Sequence, residues 1–397
     1  MVEYASNRAA ARARRSGRAE AASLARRLDW MLVAAVGGLV LFGLWAISGI
    51  TRHDVPGSPN YYVTRQAIFA AVGILGAAVA IFVDPDVYRR SYKTIYTGTI
   101  GLMVLVFLAG PLTRGSKRWI DLGFFRFQPS EFGKLLFVLA LAGFLAERSR
   151  RVGDPRTTLR TIGLATIPIF LVFVQPDLGT ALVYGAALAA ILFVAGTRWT
   201  QLALLGLGVV VFALLVLWIL PSVGMPVLKH YQQQRLLHFG NPNADPGGAT
   251  YNAHQSLLAV GAGRFHGRGV DNATQTTLDF LPEHATDFAF ASLAEQRGFL
   301  GAAALLCLYL LVVWRGLRIV AIARDPYSAI VAGGIVVALL FQIFVNVGMT
   351  MGIAPITGIP LPFVSVGGSS MIANLVAMGV LLAIHARARA ADLRYYY

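Results

Sequence analysis

What most constrains this chain is a series of about ten long, unbroken apolar runs, spread over nearly its whole length. A hydrocarbon layer about 30 Å thick takes roughly 20 apolar residues to cross as a helix. Inside that layer every backbone N–H and C=O must find an internal partner, so only helices or a closed barrel can span it. The runs show no two-residue alternation of the kind a barrel strand carries, and helices are the expected solution. They are placed at 30–50, 67–84, 93–111, 131–147, 161–176, 178–196, 200–221, 287–314, 327–351 and 366–386. Composition agrees: 56% of residues are hydrophobic and 13% charged, against about 25% charged in a soluble domain. The fold class is therefore an all-α integral membrane protein of about ten transmembrane helices, and a soluble enzyme is excluded.

Basic residues set the expected orientation. Residues 1–28 form a basic tail carrying Arg8, Arg12, Arg14, Arg15, Arg18, Arg26 and Arg27. If that end is cytoplasmic, ten spans return Arg89, Arg90, Lys93, Arg148, Arg150, Arg151, Arg156, Arg160, Arg198, Arg315, Arg318 and Arg324 to the same side. Both termini then lie inside, including a C-terminal tail at 387–397. The long polar connection between helices 7 and 8, residues 222–286, becomes an extracytoplasmic loop of a membrane domain spanning 29–386. The N-terminal segment does not read as a cleavable signal, because its apolar core is too long and no small-residue cleavage site follows.

The net charge of +15 calls for membrane lipids rather than nucleic acid, since cytoplasmic arginines sit beside anionic headgroups. Cys307 is the only cysteine, which excludes an intrachain disulfide or thiolate metal site. Asp84-Pro85-Asp86 has the spacing of a metal-binding DxD motif, but at the end of a span a helix-ending turn is the better reading. Gly261, Gly263, Gly267 and Gly269 alternate with Arg264, His266 and Arg268. No βαβ unit surrounds them, so a dinucleotide loop is not expected, although amides and arginines in such a loop can hold phosphate or sugar.

Polar residues at membrane depth narrow the search further. Glu131 and Lys134 stand three apart on one face of the fourth span and read equally as a structural pair or a functional one. Gln175-Pro176-Asp177 interrupts two spans, where Asp177 suits a helix N-cap. Asp287 opens the eighth span after Leu281-Pro282-Glu283-His284-Ala285-Thr286. It reads either as a carboxylate stabilised by the helix dipole or as a general base.

Taken in order, six blocks resemble the SEDS family, the RodA and FtsW group, over roughly residues 30–386. They are Gly115-Ser116-Lys117-Arg118-Trp119-Ile120; Gln128-Pro129-Ser130-Glu131 with Lys134; Gln175-Pro176-Asp177-Leu178-Gly179-Thr180-Ala181; Gln255-Ser256-Leu257 with the glycine-rich loop; Phe280-Leu281-Pro282-Glu283 with Thr286-Asp287-Phe288; and a last block from Asn346 through Pro355, Thr357-Gly358 and Pro360-Leu361-Pro362-Phe363 to Ser365, Gly367, Gly368, Ser369 and Ser370. Val366 departs from the tyrosine, serine or alanine usual at its place, and Tyr395, Tyr396 and Tyr397 match nothing in the family pattern.

The resemblance implies a peptidoglycan glycosyltransferase polymerising lipid II at the outer face of the bacterial cytoplasmic (inner) membrane, with a class B penicillin-binding protein, a transpeptidase, as partner. Asp287 would be the catalytic carboxylate. Arg118, Glu131, Lys134, Gln175, Asp177, Gln255, Arg264, Arg268, Glu283 and Ser365 are the candidate substrate-binding residues, with Arg118, Lys134, Arg264 and Arg268 facing the pyrophosphate. A divalent cation, magnesium or manganese, is a candidate cofactor for which no ligand cluster stands out. The stretch Thr357–Phe363 is closer to the elongation (RodA-like) branch than to division. The alternatives are a lipid II flippase, an FtsW-like division polymerase and a non-catalytic scaffold.

Overall fold

The computed structural model describes residues 23–110, 117–224 and 250–395, without side-chain surroundings for 391–395. Ten of its helices are long and apolar enough to cross a membrane. In chain order the helices are α1 (Trp30–Ile50), α2 (Tyr61–Phe82), the short α3 (Pro85–Arg90), α4 (Tyr92–Ala109), α5 (Pro129–Ala146), α6 (Pro155–Val174), α7 (Leu178–Ala195), α8 (Trp199–Leu214), α9 (Tyr251–Gly263), α10 (Thr274–Thr277), α11 (Ala289–Ile322), α12 (Pro326–Thr350) and α13 (Gly368–Tyr395). Beyond Leu214, α8 continues through a π-helical stretch, Leu215–Ile219, to Ser222. Pro221 has no N–H to give to the preceding turn, which accounts for the widened spiral there. A two-stranded antiparallel hairpin, β1 (Ile120–Asp121) with β2 (Arg126–Phe127), is the one sheet among the described residues.

Helix starts follow local chemistry. Proline occupies the first turn of α5, α6 and α12, where its missing N–H costs nothing, and Asp154, Asp177 and Asp325 cap α6, α7 and α12 by accepting the amides of Arg156, Thr180 and Ser328. Asp84 likewise caps the short α3 by accepting the Asp86 amide. The DxD spacing is thus a turn that starts a helix. Several spans begin earlier or end later than hydropathy places them. Tyr61–Gln66 and Pro155–Arg160 are already helical, and α11 runs to Ile322 rather than stopping at 314. The extension is possible because Arg315 is neutralised: its guanidinium meets the Asp29 carboxylate at 2.6 and 2.9 Å, with both side chains buried. Asp29 also accepts the Leu32 amide, so one carboxylate caps α1 and anchors it to α11.

The bundle is graded from centre to edge. The membrane-crossing windows of α13, α5 and α12 are 89%, 78% and 72% buried, whereas that of α8 is only 6% buried. The first three form the core; α8 stands at the rim, touching the rest mainly through its first turns. The 222–286 connection is not one open loop. Within its described part, α9 lies along α11, and Ser256 of α9 donates to the Thr350 carbonyl at the end of α12.

Candidate active site

Asp287 sits where an irregular turn gives way to α11. Glu283 adopts φ +56°, and its carbonyl accepts the amides of Thr286, Asp287 and Phe288 at 3.1, 3.1 and 3.2 Å. Gathering three amides on one oxygen curls the chain tightly enough that helix begins only at Ala289. Asp287 therefore precedes the helix instead of opening it, a correction to the reading from hydropathy. Glu283 is tied into the same turn, since its carboxylate accepts the Thr286 hydroxyl at 2.9 Å.

The irregular 351–367 segment holds this turn from the opposite side. The Ser365 hydroxyl donates to the Thr286 carbonyl and accepts the Leu361 amide. Val366 donates its amide to the Ala285 carbonyl at 2.9 Å, a backbone contact that survives the atypical side chain. Asn346, fully buried on α12, donates to the carbonyls of both Asp287 (2.9 Å) and Ile359 (2.8 Å). Gln66 of α2 donates to the Ser365 carbonyl and accepts the Gly367 amide. Gly358, at φ +71°, faces the carboxylate: a Cβ there would lie 3.4 Å from Asp287 Oδ2. Irregular backbone at this depth is tolerated where it lines a cavity or is satisfied by protein.

A second cluster abuts the first. Arg118 donates to the carbonyls of Gln175 and Pro176. Asp177 caps α7, as its position suggested, and also accepts the Gln128 side-chain amide at 3.3 Å. Gln175 donates to the Met103 carbonyl at 3.1 Å, while its buried Oε1 has no hydrogen-bond partner. The clusters meet at Gly179, where a Cβ would come within 2.6 Å of the Thr357 carbonyl. Only hydrogen fits between the start of α7 and the loop that carries Gly358. Arg118, Gln175, Asp177, Glu283, Ser365 and Asp287 thus belong to one continuous end of the bundle.

Glu131 and Lys134 form a close buried pair, with Nζ 2.8 and 2.9 Å from the two carboxylate oxygens. They line a small cavity of about 30 Å³ between α5, α12 and α13, together with Gln342 and Asn374. That is room for one or two waters, and the buried Nε2 of Gln342 lacks a protein partner.

The glycine-rich loop is explained by packing. Helix α11 is broken at Gly298, whose φ +66° and ψ −163° are not helical. The loop docks into the break: Arg268 and Gly269 donate amides to the Glu295 and Gln296 carbonyls, and Phe299 and Leu300 donate to the Arg264 and Phe265 carbonyls. A Cβ at Gly267 would fall 2.3 Å from the Gln296 carbonyl oxygen. Arg264 and Arg268 are exposed here, roughly two to three helical turns along α11 from Asp287. Gln255 is half-buried on α9. These three are not joined to the Asp287 cluster by any described contact. Gly115 and Ser116 lie outside the described residues.

The sequence reading missed Gln66 and the His284–Asp54 pair. Gln66, buried in an otherwise apolar span, is a signal that intramembrane polarity offers. His284 Nε2 lies 3.1 Å from Asp54 after α1, and Nδ1 lies 3.4 Å from Asp279. Burial disfavours the charged imidazole, but Asp54, Asp279 and the Leu281 carbonyl outweigh it, and the pKa rises above the ordinary histidine value. A pKa raised on folding stabilises the fold fully below the unfolded value, about 6.5, and that stabilisation fades as pH climbs through the folded one. His284→Gln is expected to lower the unfolding midpoint most below about pH 6.5, and progressively less as pH rises above it. An equal loss at every pH would contradict this pairing.

Comparison with known proteins places the chain in a family. The FtsW/RodA/SpoVE family, described as a cell cycle protein, matches residues 26–390. The peptidoglycan glycosyltransferase MrdB of Escherichia coli K12 is 37% identical over 351 residues, covering 87% of this chain and 92% of that protein. Stage V sporulation protein E of Bacillus subtilis is 34% identical, covering 89% and 93%. Among solved structures, one of a peptidoglycan synthase complex, concerned with how polymerisation and crosslinking are coordinated, aligns with TM-score 0.75 and 30% identity over 91% of this chain and 98% of that one. The rod shape determining protein RodA of Thermus thermophilus aligns with TM-score 0.66 and 27% identity, covering 90% and 96%. With a family match over residues 26–390 and relatives 37% and 34% identical over most of both chains, this chain belongs to the FtsW/RodA/SpoVE family.

Proposed function

We propose that this protein is a peptidoglycan glycosyltransferase that polymerises lipid II into glycan strands during cell elongation and shape control. The observation that carries the reading is the convergence of separate sequence blocks on Asp287, whose backbone is held by Glu283 and Asn346 and whose carboxylate faces Gly358. So many constraints on one half-buried carboxylate suit a group that must be aimed. In the proposed step the acceptor's 4-hydroxyl attacks the donor's anomeric carbon, undecaprenyl pyrophosphate leaves, and Asp287 takes the hydroxyl proton. Lys134 and the loop arginines are candidates to stabilise the growing pyrophosphate charge. Arg118 spends its guanidinium on two carbonyls and supports the site by holding the turn before α7.

Among the described residues no group of three or more His, Cys, Asp and Glu is placed to hold a metal ion. A magnesium or manganese ion shared with the substrate's phosphates is a candidate cofactor, with no ligand set assigned to it. The elongation role rests on the MrdB similarity and on Thr357–Phe363. The class B penicillin-binding protein partner is supported by the likeness to a synthase complex.

The same proposal puts Asp287 on the outer face of the bacterial cytoplasmic membrane and both termini inside, as the arginine distribution favours. A reporter fused near residue 270 should behave as extracytoplasmic and one near residue 155 as cytoplasmic; both on one side would overturn this topology. The enzymatic reading is tested with the purified chain, its transpeptidase and lipid II: glycan strands are expected, and their absence with an active partner would overturn it.

A further inference from the structure

Helix α8 leaves a space beside α6 that the protein does not fill. The two helices are joined at their first turns, where Gln201 donates to the Gly153 carbonyl at 3.1 Å and accepts the Thr158 hydroxyl at 2.6 Å. Beyond that they diverge around a cavity of about 490 Å³ lined by Thr158, Leu159, Ile162, Leu204, Gly208 and Phe212. Its walls are almost wholly apolar, and it opens sideways at membrane depth, so its natural filling is hydrocarbon.

The mouth of the cavity is charged. Arg198, one turn before the lining Gln201 of α8, leans over Gly153 with Nε 3.3 Å from where a Cβ would stand, and Arg156 directly follows the lining Pro155 on α6. Among the described residues no carboxylate forms an ion pair with either arginine. The nearby Asp154 is committed to capping α6. This end belongs to the arginine-rich face, opposite the end that carries Asp287, so the pyrophosphate of a substrate at Asp287 does not reach it.

We infer that the α6–α8 groove is a binding site for an anionic phospholipid, with one acyl chain between the helices and the phosphate on Arg156 and Arg198. The lipid takes the place of protein packing along α8. Charge complementarity selects it: a neutral phospholipid fits the apolar walls equally well but leaves both arginines unanswered. This inference does not depend on the function proposed above.

The test is native mass spectrometry of the full chain purified into micelles containing phosphatidylglycerol or phosphatidylcholine with the same acyl chains. One retained phosphatidylglycerol is expected, in clear preference to phosphatidylcholine. Each arginine near a membrane surface favours an anionic lipid by about fivefold. Arg156→Gln with Arg198→Gln should therefore remove most of that preference, while Arg318→Gln on the same face should not. Gly208→Leu fills the cavity from a position whose Cβ meets nothing within 4 Å, and should expel the lipid without disturbing the helix. Equal retention of both lipids, no retained lipid, or retention unchanged by Gly208→Leu would each overturn the inference. So would preferential retention of a prenyl diphosphate, or a dimer peak that Gly208→Leu abolishes.

Discussion

Lys134→Ala is expected to abolish lipid II polymerisation even in protein that inserts and accumulates normally. The ammonium is the partner within 3 Å of both Glu131 oxygens, and removing one member of a buried pair strands the other charge at a cost of about 3–5 kcal/mol. The unfolding midpoint of Lys134→Ala should fall accordingly. Glu131→Leu with Lys134→Met removes both charges and should recover much of that stability, because an apolar replacement spares the desolvation of both ions. It should not recover polymerisation if the ammonium serves the substrate. Comparing thermal unfolding with strand synthesis across the three proteins separates the two roles. Normal turnover in Lys134→Ala, or full turnover in the double variant, would leave the pair a purely architectural part of α5.

The ten spans were legible because the bilayer imposes one solution on each apolar run. Their ends were less so, for identifiable reasons. Tyr61, Tyr62, Arg65 and Gln66 look like connection, yet Arg65 donates to the Tyr61 hydroxyl and the Phe124 carbonyl, which lets α2 begin among them. Arg315 looks like the end of a span until Asp29, 286 residues earlier, is seen beside it. Helix α9 hides in the polar 222–286 stretch because its stability comes from lying on α11 rather than from hydropathy. At the candidate site, Asp287, Glu283 and Ser365 were visible as motif residues. What they touch was not, since the decisive contacts are made to backbone carbonyls far along the chain, as from Asn346 and Gln66. Arg264 and Arg268 carried the right charge for a phosphate, but the glycine between them, Gly267, answers to the break at Gly298.

Asp287→Asn is the variant on which the account turns. Asparagine keeps the size and polarity of the side chain. Its backbone is held by contacts to Glu283 and Asn346, which the change leaves in place. The turn, the start of α11 and membrane insertion should therefore survive, and copurification with the transpeptidase should be unchanged. What asparagine cannot do is accept a proton from the acceptor hydroxyl, and loss of a general base typically costs about 10²–10⁴ in rate. Asp287→Glu should recover little, because a misplacement of about 1 Å can cost roughly a hundredfold. Flipping of lipid II involves no bond chemistry and should be indifferent to the change. The direct measurement is strand synthesis from lipid II by wild type and Asp287→Asn side by side, each with the transpeptidase bound. The account predicts glycan polymers from the wild type and none detectable from Asp287→Asn; polymers at near wild-type rate from Asp287→Asn would contradict it.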